Sequence, residues 1–190
     1  MIGQAPKSAI TGVPGWETAD EQAFLLRLAQ NVPADGRIVE IGGEWGMSAS
    51  LFCKGALPDV KITTVDVFPG DMLVGHRANL VEAGYVNRSE QIQGDSTAVG
   101  KQWDRGAIDL LFIDGDHAYE GVKRDIDAWV RFVPVGGIVA FHDCACVTNK
   151  LPHALHFEVT RAVSEWYWGT KGKWRALTSV DTILSFERVK

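Results

Sequence analysis

The segment from residue 37 to residue 54 constrains the fold more than any other part of the chain. A short β-branched run, Arg37–Ile41, stops at Gly42 and Gly43, and a helix-compatible stretch, Ser48–Lys54, follows. Glycine allows a sharp backbone turn, and a helix N-terminus presents free N–H groups to a ligand. The segment therefore predicts a strand, a tight turn and a helix, with a ligand bound at the turn.

Predicted strands and helices alternate along the rest of the chain. One further helix is expected from the capping box of Thr18 and Glu21 to Asn31, and others over His76–Ala83, Tyr119–Phe132 and Leu155–Trp168. The other strands are expected over Val60–Val67, Glu90–Gln93, Leu110–Ile113, Gly137–Phe141, Lys173–Thr178 and Thr182–Arg188. Alternation favours an α/β fold with a doubly wound, mostly parallel sheet. The last two strands, which a short Ser-Val-Asp turn separates, favour a C-terminal antiparallel hairpin.

The size and charge of the chain favour one domain that acts on small molecules. The 190 residues are 46% hydrophobic, which is enough for one sizeable core. We therefore expect a single domain over residues 1–190, in which residues 1–16, rich in glycine, proline and small side chains, form an irregular arm. The net charge of −5 and the absence of a basic stripe argue against a nucleic-acid partner.

The chain also lacks the sequence features of export and membrane insertion. Its first residues contain no charged segment leading into an apolar one, and no apolar run reaches the length of a membrane span. The three cysteines, Cys53, Cys144 and Cys146, have spacings that suit neither a disulfide framework nor a zinc ribbon. We therefore expect reduced thiols, a cytoplasmic location and no membrane partner.

An acidic residue complements the glycine turn. Asp66 ends the next predicted strand, where a carboxylate in such a fold can bind ribose hydroxyls. A dinucleotide site would need a glycine at the position of Glu44, whose charge would repel a pyrophosphate. A cofactor that carries an amino group and a sulfonium, without phosphate, meets no such penalty from Glu40 or Glu44.

The order of motifs resembles that of class I S-adenosylmethionine-dependent methyltransferases. The matching segments are GWETADEQAFLLRLA, IVEIGGEWGMSAS, ITTVDVF, IQGDS and DLLFIDGDHAYEGVKRDIDAWVRFVPVGGIVAFHD, which cover residues 15–143 in order. Within that class, the E-I-G-x-x-x-G-x-S form and the F-I-D-G-D-H-x-Y-E-G-V run resemble bacterial small-molecule and sugar O-methyltransferases related to the catechol-type enzymes. The resemblance implies a Rossmann-like fold and S-adenosylmethionine as cofactor.

The resemblance also implies a set of cofactor-binding residues. Glu40, Gly42, Gly46 and Ser48 would surround the methionine part, Asp66 would bind ribose, and Asp95 and Ser96 would lie near adenine. Gly43, Glu44, Trp45, Val67 and Asp114 complete the set. Glu44 departs from the pattern, because many members of the class carry a third glycine there.

A second group of polar residues follows two other predicted strands. Asp114, Asp116 and His117 come after Leu110–Ile113, and His142 and Asp143 come after Gly137–Phe141, so they should share one cleft. Asp114, His142 and Asp143 are a workable set of metal ligands. The resemblance to catechol-type enzymes implies magnesium, but a histidine at position 142, where relatives usually have a carboxylate, favours manganese, iron or zinc. Action without a metal, with His142 as the base, is the alternative.

Three residues are candidates for proton transfer. His117 stands where some relatives carry a lysine base, and a neutral imidazole suits that task. Asp116 is the competing candidate, and His142 is the third. His117 could instead cap the following helix or contact the cofactor.

These features together predict methyl transfer from S-adenosylmethionine to a hydroxyl of a small-molecule acceptor, with or without a divalent cation such as magnesium, manganese or iron. Because the chain has few residues before its first helix and no long insertion, a partner subunit could complete the pocket, which predicts a homo-oligomer. Two other hypotheses are a catalytically inactive cofactor-binding module and a metal-dependent hydroxylase that reuses this fold around iron.

Overall fold

The computed structural model describes residues 5–144 and 154–190, without the side chains of residues 154–156. Its strands are β1 (Arg37–Ile41), β2 (Lys61–Asp66), β3 (Ser89–Gln93), β4 (Leu110–Ile113), β5 (Ile138–Phe141), β6 (Trp174–Val180) and β7 (Ile183–Arg188). Its helices are α1 (Ala19–Gln30), α2 (Met47–Gly55), α3 (Met72–Glu82), α4 (Ser96–Lys101), α5 (Tyr119–Trp129) and α6 (Ala154–Gly169).

The strands form one sheet in the order β3-β2-β1-β4-β5-β7-β6. Neighbours from β3 to β5 pair in parallel, whereas β7 pairs antiparallel with β5 and with β6. The predicted α/β fold with a mostly parallel sheet and a C-terminal antiparallel hairpin is confirmed. The chain moves outward from β1 to β3 and then returns to β4 beside β1, so the direction of winding reverses between β1 and β4, where such sheets bind ligands.

Two apolar clusters cover the two faces of the sheet. Leu110 and Phe112 face one cluster, with residues of α1 and α2, while Leu111 and Ile113 face the other, with residues of α5 and α6. This alternation follows from the two-residue period of a strand. Because helices cover both faces, all four residues of β4 are buried, which explains its continuous apolar sequence.

Several boundaries differ from the predicted ones. The helix α4 was not predicted; it is six residues long and lacks a clear apolar stripe. The helix α3 begins at Met72 rather than His76, and α5 ends at Trp129, where a 3-10 turn over Val130–Phe132 replaces the predicted last helical turn. The strand β6 continues to Val180, so the hairpin turn lies at residues 181–182 rather than at the predicted Ser-Val-Asp segment.

The N-terminal arm has neither helix nor strand over residues 5–16, yet it is anchored. Lys7 and Pro14 form a single antiparallel β-bridge, Val13 is buried, and the Ser8 hydroxyl donates to Gln22 Oε1 over 2.7 Å. Cys53 is a free, buried thiol, Cys144 is also buried, and Cys146 lies outside the described residues. Within the described parts of the chain, no helix has the length and apolar character needed to cross a bilayer.

Candidate active site

A cleft of about 980 Å³ lies at the carboxyl ends of the strands, at the reversal point between β1 and β4. A volume at the upper end of the usual range for small-molecule sites can hold a cofactor together with a second small molecule. The cleft brings the following predicted site residues together: Gly42, Gly43, Glu44, Trp45, Ser48, Asp66, Val67, Asp95, Ser96, Asp114, Asp116, His117, His142 and Asp143. Glu40 and Gly46 are the predicted site residues that do not line it.

The glycine turn needs glycine at two of its positions. Gly42 has φ +86° and Gly46 has φ +93°, a left-handed conformation that side chains disfavour. A Cβ at Gly42 would lie 2.1 Å from the carbonyl oxygen of Asp114, so the turn after β1 passes directly against the segment after β4. The Asp114 amide donates to Ile41 O over 2.8 Å, which holds these two segments together at the floor of the cleft.

Asp66 fixes the turn from the end of β2. Its Oδ2 accepts hydrogen bonds from the amides of Gly43 and Glu44, over 2.7 and 3.0 Å, and its Oδ1 accepts one from Phe68 over 2.7 Å. A carboxylate oxygen can accept about two hydrogen bonds, so Oδ2 is fully used by the turn and Oδ1 keeps acceptor capacity for a ribose hydroxyl. The ribose role of Asp66 stays a prediction, and the structure adds a second task, which is to shape the turn.

Glu40 lies beneath the turn rather than in the cleft. It is fully buried; Thr64 Oγ1 donates to its Oε2 over 2.7 Å, and the Ser48 hydroxyl donates to its Oε1. Burial raises the pKa of Glu40 to about 8, although both hydroxyls oppose the shift. At neutral pH the carboxyl is therefore mainly protonated, and Ser48 is the group through which it reaches the cleft wall.

The predicted adenine side depends on α4. Asp95 caps this helix by accepting a hydrogen bond from the Ala98 amide over 2.8 Å. The Ser96 hydroxyl donates to Asp125 of α5, a buried residue that also lines the cleft. Burial, with only partial compensation from Ser96, raises the pKa of Asp125 to about 6.

His142 is held between carboxylates. Its Nδ1 lies 3.1 Å from Asp114 Oδ1 and 3.8 Å from Asp143 Oδ1, and its Nε2 lies 3.5 Å from Glu21 Oε2. Burial alone would lower the pKa of His142, but the adjacent carboxylates outweigh it and raise the pKa well above its usual range. His142 is thus a buried histidine whose two ring nitrogens link α1 to the end of β5.

His117 joins the same cluster from the start of α5. Its Nε2 lies 2.9 Å from Asp143 Oδ2 and 3.6 Å from Asp114 Oδ1. These two carboxylates raise the pKa of His117 to about 10. A protonated imidazole cannot accept a proton, so His117 or His142 could act as the base only after losing the proton that these carboxylates favour. Asp116, the competing candidate for the base, has its Oδ2 3.5 Å from Nη2 of Arg124.

The candidate metal ligands differ from the predicted set in one member. Ligand atoms of Asp114, His117 and Asp143 all lie within 4.8 Å of one another, and His142 does not belong to this group. The Nδ1 atom of His142 faces Asp114 and Asp143, and its Nε2 faces Glu21 on the other side of the ring. The sequence predicted only a capping-box role for Glu21. Glu21 has this role as well, because its Oε2 accepts a hydrogen bond from the Thr18 amide over 2.8 Å.

Two further residues at the cleft were not predicted. Glu17 lines it and is only 8% exposed. His76 is fully buried behind the glycine turn, with Nδ1 3.2 Å from Glu44 O, and burial lowers its pKa. The acidic residue directly before a capping box was a signal for Glu17, whereas nothing in the local sequence around His76 indicated this contact.

Comparisons with known proteins identify the family to which the chain belongs. Residues 39–144 match the family described as "Methyltransferase domain". The chain is 30% identical over 146 residues to a protein of Mycobacterium sp. (strain JLS) that is named as an O-methyltransferase; the match covers 76% of this chain and 64% of that protein. It is 33% identical over 99 residues to the catechol O-methyltransferase of Mycobacterium tuberculosis (strain ATCC 25618 / H37Rv), covering 52% of this chain and 44% of that protein.

A solved structure supports the fold. The O-methyltransferase TomG from Streptomyces achromogenes, solved in complex with S-adenosylmethionine, superposes with a TM-score of 0.72 at 19% identity, covering 92% of this chain and 82% of that one. The fold is the Rossmann-like fold of class I methyltransferases. The chain belongs to the methyltransferase-domain family. It spans less than two thirds of the length of the curated relatives named above.

Proposed function

We propose that this chain transfers the methyl group of S-adenosylmethionine to a hydroxyl of a small-molecule acceptor. One observation carries the proposal: the glycine turn with Asp66 and the polar cluster of Asp114, His117 and Asp143 line the same cleft. The O-methyltransferase names of the relatives support oxygen as the accepting atom. The predicted homo-oligomer and cytoplasmic location remain parts of this proposal.

The chemistry of the cleft fits the cofactor. The Asp66 carboxylate beside the turn suits ribose hydroxyls, and the acidic lining of the cleft suits the positively charged methionine amino group and sulfonium. Apolar side chains of Ile41, Met47 and Val65 provide the remaining wall. When bound, S-adenosylmethionine supplies a methyl carbon on a sulfonium; the acceptor oxygen displaces the sulfur, its O–H proton is lost, and the methyl ether and S-adenosylhomocysteine result.

The polar cluster fits a divalent cation. Two carboxylates and one imidazole favour manganese or iron over magnesium, which prefers oxygen ligands alone. Asp114, His117 and Asp143 would hold the ion, and its charge would lower the pKa of the acceptor hydroxyl. Binding there requires that His117 lose the proton that Asp114 and Asp143 stabilise, so the ion and the proton compete.

The chain itself contributes alignment and charge. The backbone contact between the turn after β1 and Asp114 fixes the cofactor end relative to the acceptor end, so catalysis depends mainly on holding the acceptor oxygen in line with the methyl carbon and sulfur. His142, fixed by Asp114 and Glu21, orients Asp114. No covalent intermediate with the protein is needed.

The two other hypotheses have less support. A catalytically inactive module would not need a cluster of paired charges on the acceptor side of its cleft. An iron-dependent hydroxylase would be expected to use two histidines and one carboxylate, and the group that could hold an ion here, among the described residues, has the reverse composition.

Calorimetric titration with S-adenosylmethionine and S-adenosylhomocysteine tests the proposal directly. We expect saturable binding of both at one site per chain, and transfer of labelled methyl groups to a hydroxylated acceptor. Absence of binding would overturn the proposal. Removal of bound metal with a chelator, followed by return of manganese, iron or magnesium, tests the cation, and methyl transfer that is unchanged by the chelator would exclude its role.

A further inference from the structure

The cleft is strongly acidic in a way that the cofactor does not explain. Nine carboxyl side chains line it, against three basic side chains, none of which is a lysine. The carboxyl groups are those of Glu17, Glu21, Glu44, Asp66, Asp95, Asp114, Asp116, Asp125 and Asp143; the basic ones are His117, Arg124 and His142. An acceptor that carries phosphate or carboxylate would meet repulsion in this cleft.

Most of these carboxyl groups already have a partner within the protein. Asp114, Asp143 and Glu21 lie in ion pairs with His117 or His142, and Asp116 pairs with Arg124. Asp66, Asp95 and Asp125 accept hydrogen bonds from backbone amides or from Ser96. Their charge is therefore balanced, or satisfied by hydrogen bonds, before any acceptor binds.

Glu17 is different. Its Oε2 accepts one hydrogen bond, from the neighbouring Trp16 amide over 3.1 Å, and no cationic side chain within residues 5–144 and 154–190 forms an ion pair with it. It is 8% exposed and lines the cleft. Burial, together with the charge of Asp114, raises the pKa of Glu17 to about 7. A buried carboxylate of this kind gains more from an added cation than an exposed one does.

Glu17 also lies between the two ends of the cleft. Gly15 packs against Met47, directly after the glycine turn, since a Cβ there would lie 2.5 Å from Met47 Cβ. One helical turn after Glu17, Glu21 contacts His142 at the end of β5. The segment that carries Glu17 thus spans from the cofactor turn to the acid-histidine cluster, where an acceptor must sit.

We propose that Glu17 is a specificity-determining residue that binds a protonated amino group on the acceptor, so that the methylated substrate is a hydroxylated amine. This inference rests on the proposed methyl transfer. An ammonium ion beside Glu17 would supply the cationic partner that the protein does not, and would leave the acceptor hydroxyl free to face the methyl group.

Two sets of matched probes test the charge preference. One consists of 2-(3,4-dihydroxyphenyl)ethylamine, its N-acetyl derivative and 3,4-dihydroxyphenylacetate; the other of glucosamine, N-acetylglucosamine and glucuronate. Binding of each probe is measured by calorimetry on protein saturated with S-adenosylhomocysteine, and methyl transfer is measured with labelled S-adenosylmethionine. In at least one set, we expect the amine to bind about tenfold or more tightly than its neutral analogue, and the anion to bind most weakly.

Two variants assign the preference to Glu17. Glu17→Gln keeps the shape and the hydrogen bond from Trp16, and should weaken binding of the amine about tenfold while the neutral analogue changes less than about twofold. Asp20→Asn removes one charge from an exposed position on α1 and should change neither. Thermal unfolding checks that both variants are folded.

The outcomes separate this inference from the function on which it rests. Failure to bind S-adenosylhomocysteine overturns the methyltransferase proposal. Normal cofactor binding with equal or tighter binding of the neutral or anionic probes, or with no binding of either amine, overturns the role of Glu17 alone. An equal loss of kcat for charged and neutral acceptors in Glu17→Gln would also overturn it, because a group that binds ammonium should affect the amine selectively.

Discussion

The two ends of the cleft are stabilised in different ways. The cofactor end lies around Gly42, Ser48 and Asp66. Its carboxyl groups accept hydrogen bonds from backbone amides of the turn and from hydroxyl groups. At the acceptor end, Asp114, His117, His142 and Asp143 form ion pairs, and Glu21 of α1 joins them through its contact with His142. The cofactor end is thus held by hydrogen bonds to the backbone and to hydroxyls, whereas the acceptor end is held by ion pairs between side chains, one of them from α1.

This difference has a functional consequence. Hydrogen bonds to backbone amides fix a shape that suits one invariant ligand. Ion pairs between side chains can be altered one residue at a time, and each change alters the charge that an acceptor meets. We therefore expect substitutions at the two ends to separate cofactor binding from methyl transfer.

The largest expected effect is at the acceptor end. Asp143→Asn removes a charge that pairs with His117 and would ligate the cation, and should lower methyl transfer by about 100-fold or more. Affinity for S-adenosylhomocysteine should change less than about threefold, because Asp143 is not part of the cofactor end. Single-turnover rates and calorimetry measure the two quantities.

Asp127→Asn is the matched control, since Asp127 is exposed on α5 and does not line the cleft. It should leave both quantities unchanged. A parallel loss of cofactor affinity and rate in Asp143→Asn would show that the two ends are not separable.

The converse effect is expected at Asp66. Asp66→Asn weakens the charged hydrogen bonds to the turn and to ribose, and should reduce affinity for S-adenosylhomocysteine roughly 10-fold to 100-fold. With the cofactor saturating, the rate of methyl transfer should recover most of its wild-type value. Asp71→Asn, an exposed change in the following loop, is the control for loss of charge. A normal affinity in Asp66→Asn would exclude its predicted ribose role.

The same contrast explains what could be predicted from the sequence. The alternation of strands and helices and the turn with Asp66 could be predicted, because the β-branched run, the glycines and the acid at the next strand end all lie within residues 37–66. The order of the strands in the sheet was not predicted. The contact of Glu21 with His142 could not be predicted, since it depends on how α1 packs against the end of β5. Among the described residues, the group of closely spaced ligand atoms contains His117 rather than His142. The predicted metal role of His142 stays a prediction.

A smaller effect is expected beneath the turn, as a pH dependence. Because the pKa of Glu40 is raised to about 8, unfolding releases its proton between pH 4.5 and 8, and this contribution to stability, full at low pH, is lost as the pH rises through that range. Its slope is at most about 1.4 kcal/mol per pH unit. Glu40→Gln mimics the protonated carboxyl and should lack this component.

Urea unfolding of wild type and Glu40→Gln at pH 5, 6, 7 and 8 measures the difference, which should increasingly favour the variant as the pH rises. Affinity for S-adenosylhomocysteine at pH 6 should differ less than about threefold between the two proteins, because the wild-type carboxyl is mainly protonated there and the glutamine is also neutral. Parallel stability curves would contradict the raised pKa, and a large loss of affinity would show that Glu40 contacts the cofactor directly.

The smallest effect is expected at Glu44, the position where many relatives carry glycine. Glu44 is exposed and has φ +38°, so glycine would relieve a left-handed conformation but would also gain freedom in the unfolded chain. These two terms oppose each other, and Glu44→Gly should change the free energy of unfolding by less than about 1 kcal/mol. The Asp66 carboxylate would still accept the backbone amide at position 44, so affinity for S-adenosylhomocysteine should change less than about threefold. A larger loss, measured by calorimetry, would mean that the cofactor end depends on this side chain as well as on its backbone.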